Sequence, residues 1–178
     1  MQLTGAFHVR KRPTLAFGDE KYLARHCPFV VIPNQVTLVG AISLQKMAFQ
    51  GVTTDIAVGG NFYIGLTNIV VEPLITTVLT DITVEPTSAG GYARLAATRD
   101  ATGWPTQVTV NNVPLIRTKT LTFTASGADF DQAHNRLFLT DQASGTAGIL
   151  FSISGKTAVD QNILDGESLD VFYQMGWR

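Results

Sequence analysis

Charge is scarce in this chain. Asp, Glu, Lys and Arg make up 15% of its 178 residues, against roughly a quarter in an ordinary soluble domain. Such a surface is either covered with Thr, Ser, Asn and Gln or partly buried against partners. Cysteine is nearly absent. Cys27 stands alone, so no internal disulfide framework is possible, and it reads as a buried structural thiol. His8, His26 and His134 show no metal-ligand spacing, and Cys27 beside His26 makes no zinc motif. HExxH, GxSxG and P-loop signatures are missing. The sequence therefore predicts no metal, no cofactor, no small-molecule substrate and no enzymatic activity. No run approaches the roughly 20 apolar residues of a membrane helix. The longest, "FVVI" and "NIVVEPLI", are strand-sized. The start, "MQLTGAFHVRKRP", lacks the charged-then-apolar order of a signal peptide. The expectation is a soluble protein made in the cytosol, without a membrane partner. A net charge of −1 gives no global attraction to nucleic acid.

What the chain has in abundance is strand chemistry. Val, Ile, Thr, Phe and Tyr recur in short runs bounded by Gly, Pro, Asn and Asp. "KTLTFTA" alternates strictly, with Leu121 and Phe123 on one face and the threonines on the other. "NRLFLTDQ" sets Leu137 and Leu139 against Phe138 and Thr140. "GILFSIS" aligns Ile149, Phe151 and Ile153, and "SLDVFYQM" aligns Leu169, Val171 and Tyr173. Asn111-Asn112 reads as a tight turn between two short runs. "VTLVGAISLQKMAF" is readable as a short helix. Its Gly40 and β-branched residues favour a strand, with Val36, Leu38, Ile42 and Leu44 on one face. "EKYLARH" is the best helical turn, and "ITTVLTDI" is ambiguous. Closely spaced strands with turn signals between them predict an all-β sandwich or barrel.

The charges are uneven. Residues 1–60 carry six Lys/Arg against three Asp/Glu, and residues 61–178 carry seven against eleven. With the glycines of "VGGNF", this places a boundary near residue 60: an N-terminal arm or subdomain (1–60), then a β domain (61–178). The basic excess, in Arg10, Lys11, Arg12, Lys21 and Arg25, reads as a solvated segment or as an arm that docks on an acidic protein surface. Trp104 reads as buried packing and Trp177 as a C-terminal contact.

The stretch "SAGGYAR", residues 88–94, fails as a phosphate cradle, because no helix follows to aim its N–H groups. Gly90 and Gly91 instead supply positive φ for a reversal. Tyr92 packs, and Arg94 ties down a carboxylate or carbonyl. Paired acids, Asp129/Asp131 and Asp165/Glu167, read as turn caps rather than as a glycosidase pair.

Five blocks, in order, carry a resemblance: "NFYIGLTN", "LTDITVEPTSAGGYARLA", "KTLTFTA", "RLFLTDQASGTAGILFSIS" and "LDGESLDVFYQMGW". Together, over residues 61–175, they resemble a group of tailed-bacteriophage virion proteins. Asp165 and Gly166 fall in the turn of the last block, where Glu167 stands for the usual Asp. The resemblance implies a jelly-roll-like antiparallel β-sandwich and a non-enzymatic structural role. The foremost implied role is a head decoration (cement) protein on the virion surface, assembled in the host cytoplasm. The implied partners are the major capsid protein and further copies of the chain, as a homotrimer or a dimer. A tail-fibre or baseplate protein binding host glycan is the alternative, and a polysaccharide-active enzyme using two of Asp129, Asp131 and Asp141 is a third. On this view Arg10, Lys11, Arg12, Lys21, Arg25 and Trp177 are interface residues.

Overall fold

The computed structural model describes residues 3–12, 27–51, 60–110, 113–157 and 161–177. They form ten strands and one α-helix: β1 (Leu3–Arg12), β2 (Val30–Val36), α1 (Leu38–Phe49), β3 (Asn61–Thr67), β4 (Leu95–Thr98), β5 (Thr106–Val110), β6 (Val113–Arg117), β7 (Leu121–Thr124), β8 (Arg136–Thr140), β9 (Leu150–Ser154) and β10 (Ser168–Trp177). All pair antiparallel in one sheet of order β4-β3-β8-β9-β2-β1-β10-β6-β5, with β7 also on β10. The two ends of that order, β4 and β5, are joined only by residues 99–105. So short a link forces the sheet to curl, and β4 comes to lie against β7. The result is the expected all-β, sandwich-like fold in the form of a half-barrel. β6 and β7 behave as one broken strand along β10. Thr118 bridges the break, its N–H donating to Tyr173 O and its Oγ1 accepting from Tyr173 N, both at 2.9 Å.

The main core fills the curl. Phe7 and Val9 from β1, Phe62 and Ile64 from β3, Phe123 from β7, and Leu169, Val171 and Tyr173 from β10 meet there. Trp104 packs edge-on to Phe62 and Tyr173, at centroid distances of 5.5 and 6.2 Å. A second cluster lies behind the sheet, where Ile69, Leu79 and Ile82 cover Phe138, Leu150 and Ile153. "ITTVLTDI" supplies part of that cover through a 3₁₀ turn, Leu79–Asp81.

Three expectations are corrected. The described part of residues 1–60 is no separate arm: β1 pairs with β10 along ten residues, from Leu3↔Trp177 to Arg12↔Ser168, and β2 pairs with β9. The cause is legible in "AFHVRKR", where Phe7 and Val9 alternate with His8, Arg10 and Arg12 at the period of a strand.

Second, residues 38–49 are helical. Thr37 caps the helix, its Oγ1 accepting from Gly40 N at 3.0 Å. Gly40 lets the helix touch β9 directly; a Cβ there would lie 2.4 Å from Phe151 Cα. Third, Ile149, Phe151 and Ile153 do not share a face. The register slips between Leu139↔Ser152 and Thr140↔Leu150, leaving Phe151 as a bulge residue. Phe151 therefore joins the main core while Ile153 joins the rear cluster.

Candidate interaction surface

Each basic residue expected at an interface that the structure describes is engaged within the chain. His8, Arg10 and Arg12 share the outer face of β1. Arg10 is buried, as is Asp170 opposite it on β10. Arg10 Nη2 lies 2.6 Å and Arg12 Nε 2.5 Å from Asp170 Oδ2. The Thr122 hydroxyl donates to Asp170 Oδ1 at 2.8 Å. Lys11 Nζ meets Glu167 Oε2 at 2.7 Å. Arg10 also stacks over Phe29, and Arg117 over Phe172. This is a cross-strand clamp between the first and last strands, not a free basic patch. Trp177 ends β10 in register with Leu3. Lys21 and Arg25 lie outside the described residues.

"SAGGYAR" forms a 3₁₀ turn, Ala89–Gly91, with Gly90 at φ 64° and Gly91 at φ 79°. Tyr92 is buried between Phe123 and Phe130. Its hydroxyl donates to Glu85 Oε1 at 2.6 Å and accepts from Leu66 N at 3.0 Å. Arg94 grips the Glu85 carboxylate at 2.8 and 2.7 Å and reaches the carbonyls of Gln142 and Gly145 at 3.0 and 2.9 Å. The turn thus knots three loops together. The 164–167 turn is similar: Gly166 has φ 79°, and Asp165 Oδ1 accepts from Gly127 N at 2.8 Å.

The acids weighed as catalytic are also tied to backbone. Asp131 accepts from Thr87 N and its hydroxyl at 2.8 and 2.6 Å, bonds that hold its carboxyl below the usual range. Asp129 accepts from Asp165 N at 2.7 Å, and Asp141 from Ile149 N at 2.8 Å.

Burial, then the Glu85 charge, pushes the Tyr92 phenol above its ordinary value near 10, and burial raises Tyr173 as well. In the unfolded chain both phenols ionise near pH 10, while in the fold both ionise only at higher pH. Each therefore withdraws stability as pH rises above about 10, and none below it. Phenolate absorbance is expected to rise near pH 10 without the share of these two, which appears only at higher pH or as the fold opens. Ionisation of all four tyrosines in one step with the fold intact would contradict this.

The described surface also carries an apolar patch. Helix α1 buries Gly40, Ser43 and Met47 on one side, yet Leu38, Val39, Ile42 and Phe49 stand exposed on the other. Exposed Gln45 and Lys46 share that side, but apolar residues outnumber them there, and apolar helix surface is normally buried. The loop beside it repeats the pattern: Val70 is 88%, Val71 77% and Leu74 64% exposed, with Ile75 about half exposed. Leu38 N donates to Ile75 O at 2.7 Å, joining loop and helix into one surface. The loop is anchored by Glu72, whose Oε2 lies 2.6 Å from Nη2 of the fully buried Arg136. Fixed, contiguous apolar surface of this kind marks contact sites. Sequence reading missed it, because "NIVVEPLI" reads only as a strand-sized apolar run. The available signal was the same excess of apolar residues with too little charge to cover them.

No family model, no curated protein and no solved structure matches the chain.

Proposed function

We propose that the chain is a non-enzymatic structural protein of a tailed-phage virion, a decoration protein that binds the outer head surface and stabilises the coat lattice. The observation that carries this reading is the apolar surface of α1 and the 70–75 loop, held on a stiff half-barrel. The order of sequence blocks supports it too: they fall on β3, the Gly90 turn, β7, β8–β9 and β10, which enclose the core. A coat under internal pressure gains strength when a second protein bridges its subunits. Many modest contacts, repeated by symmetry, give avidity, and an interface of standard size covers roughly 1,600 Å². The major capsid protein is the proposed partner, contacted by homo-oligomers through the apolar surface rather than through the basic stretch.

The double substitution Ile42→Asp with Val71→Asp tests this. Both side chains are exposed, so stability should stay within about 0.5 kcal/mol of wild type. Binding to heads prepared without the protein should fall at least tenfold, on the order of one lost hot spot or more. Undiminished binding would show that the coat contact lies elsewhere.

A further inference from the structure

The two free ends of the sheet are not alike. The β4 edge is covered by its own chain: it lies against β7, and Gly103 presses so close that a Cβ there would sit 2.0 Å from Thr98 O. The β5 edge has no partner strand on its outer side among the described residues. The open cavity of about 960 Å³ beside it lies over the sheet face, lined also by Met47, Trp104, Leu115 and Met175. Natural edge strands carry Lys, Pro or bulges that stop another strand from adding. β5 reads Thr-Gln-Val-Thr-Val, with no charge and no proline.

Its hydrogen-bonding direction follows from the hairpin. Val110 and Val113 face each other across two residues, and the closing pair of such a hairpin is hydrogen-bonded. Pairs then alternate, so Thr109↔Pro114 is a non-bonded pair, as suits a residue without an N–H. Gln107 and Thr109 therefore turn their backbone N–H and C=O groups outward.

We propose that β5 is an assembly edge, at which two copies of this chain pair their β5 strands antiparallel about a two-fold axis at Val108. Gln107 then faces Thr109 of the partner subunit on both sides of the axis, and four N–H···O=C bonds form. No like charges meet, because the strand has none. The contact uses the same residues on both copies, so it closes at two subunits. Val108 meets its own symmetry mate in a non-bonded pair, with Cα atoms about 4.5 Å apart. The inference stands on the sheet edge alone and does not depend on the virion reading.

Light scattering on the purified full chain, followed by two variants, tests it. The wild type should be a dimer. Thr109→Pro removes an outward N–H while sparing the β5–β6 ladder, and should give a monomer with an unchanged far-ultraviolet circular dichroism spectrum. Val108→Cys, with Cys27→Ser to remove the native thiol, should form a disulfide-linked dimer under mild oxidation, since the separation suits a disulfide. Should the proline variant fail to fold, the cross-link alone decides. A monomeric wild type, a dimer that survives Thr109→Pro, or no Val108 cross-link would each overturn the proposal.

Discussion

Asp170→Ala should cost the fold about 3–5 kcal/mol, the loss expected when one partner of a buried ion pair is removed. The carboxylate is fully buried, and it takes Arg10 and Arg12 on one oxygen and Thr122 on the other. Without it the Arg10 guanidinium stays in a site only 5% exposed and loses the carboxylate directly across the ladder. Because Arg10 stands directly opposite Asp170 in the register of β1 and β10, the strain falls on the pairing that ties the first strand to the last. Arg12 is 30% exposed, so water replaces part of what it loses, and Arg12→Ala should cost only about 1 kcal/mol. Urea titration of the two variants measures the difference. Equal, small losses would mean that the clamp is ornamental and that apolar packing alone holds β1.

Gly40→Val should be comparably severe, at about 3 kcal/mol. An interior glycine normally weakens a helix by about 1 kcal/mol relative to alanine, so its presence in α1 calls for a reason. The reason is the seat on β9. A Cβ would lie 2.4 Å from both the Cα and the carbonyl O of Phe151, backbone atoms with no side-chain freedom to yield. The same carbonyl accepts from Thr37 N at 3.0 Å, so lifting the helix also strains its cap. Leu38, Val39 and Ile42 ride on that helix, and head binding should fall together with stability. Denaturant unfolding and far-ultraviolet circular dichroism report the first effect. A fully stable Gly40→Val protein would refute the close seat.

Strand identity was the most legible part of the fold, because alternation is a local property. Leu121/Phe123 and Leu169/Val171/Tyr173 point inward as their spacing requires. Helix α1 was hidden by its own composition. Apolar residues on both faces erase the helical period, and Gly40 reads as a breaker until its neighbour is known. The bulge at Phe151 was equally hidden, since one extra residue opposite β8 is a fact of pairing, not of sequence. The basic run misled for a related reason. Counting charge in "HVRKR" suggests solvation, whereas its period of two places Arg10 and Arg12 on one face of a strand, opposite an aspartate some 160 residues away. The apolar surface was legible only as a deficit of charge, with no position attached.

The decisive measurement is electron microscopy of intact phage particles labelled with a gold-conjugated antibody against this chain. Label spread over the head is the expected result. Label confined to the tail, or none on the particle, would contradict a decoration role.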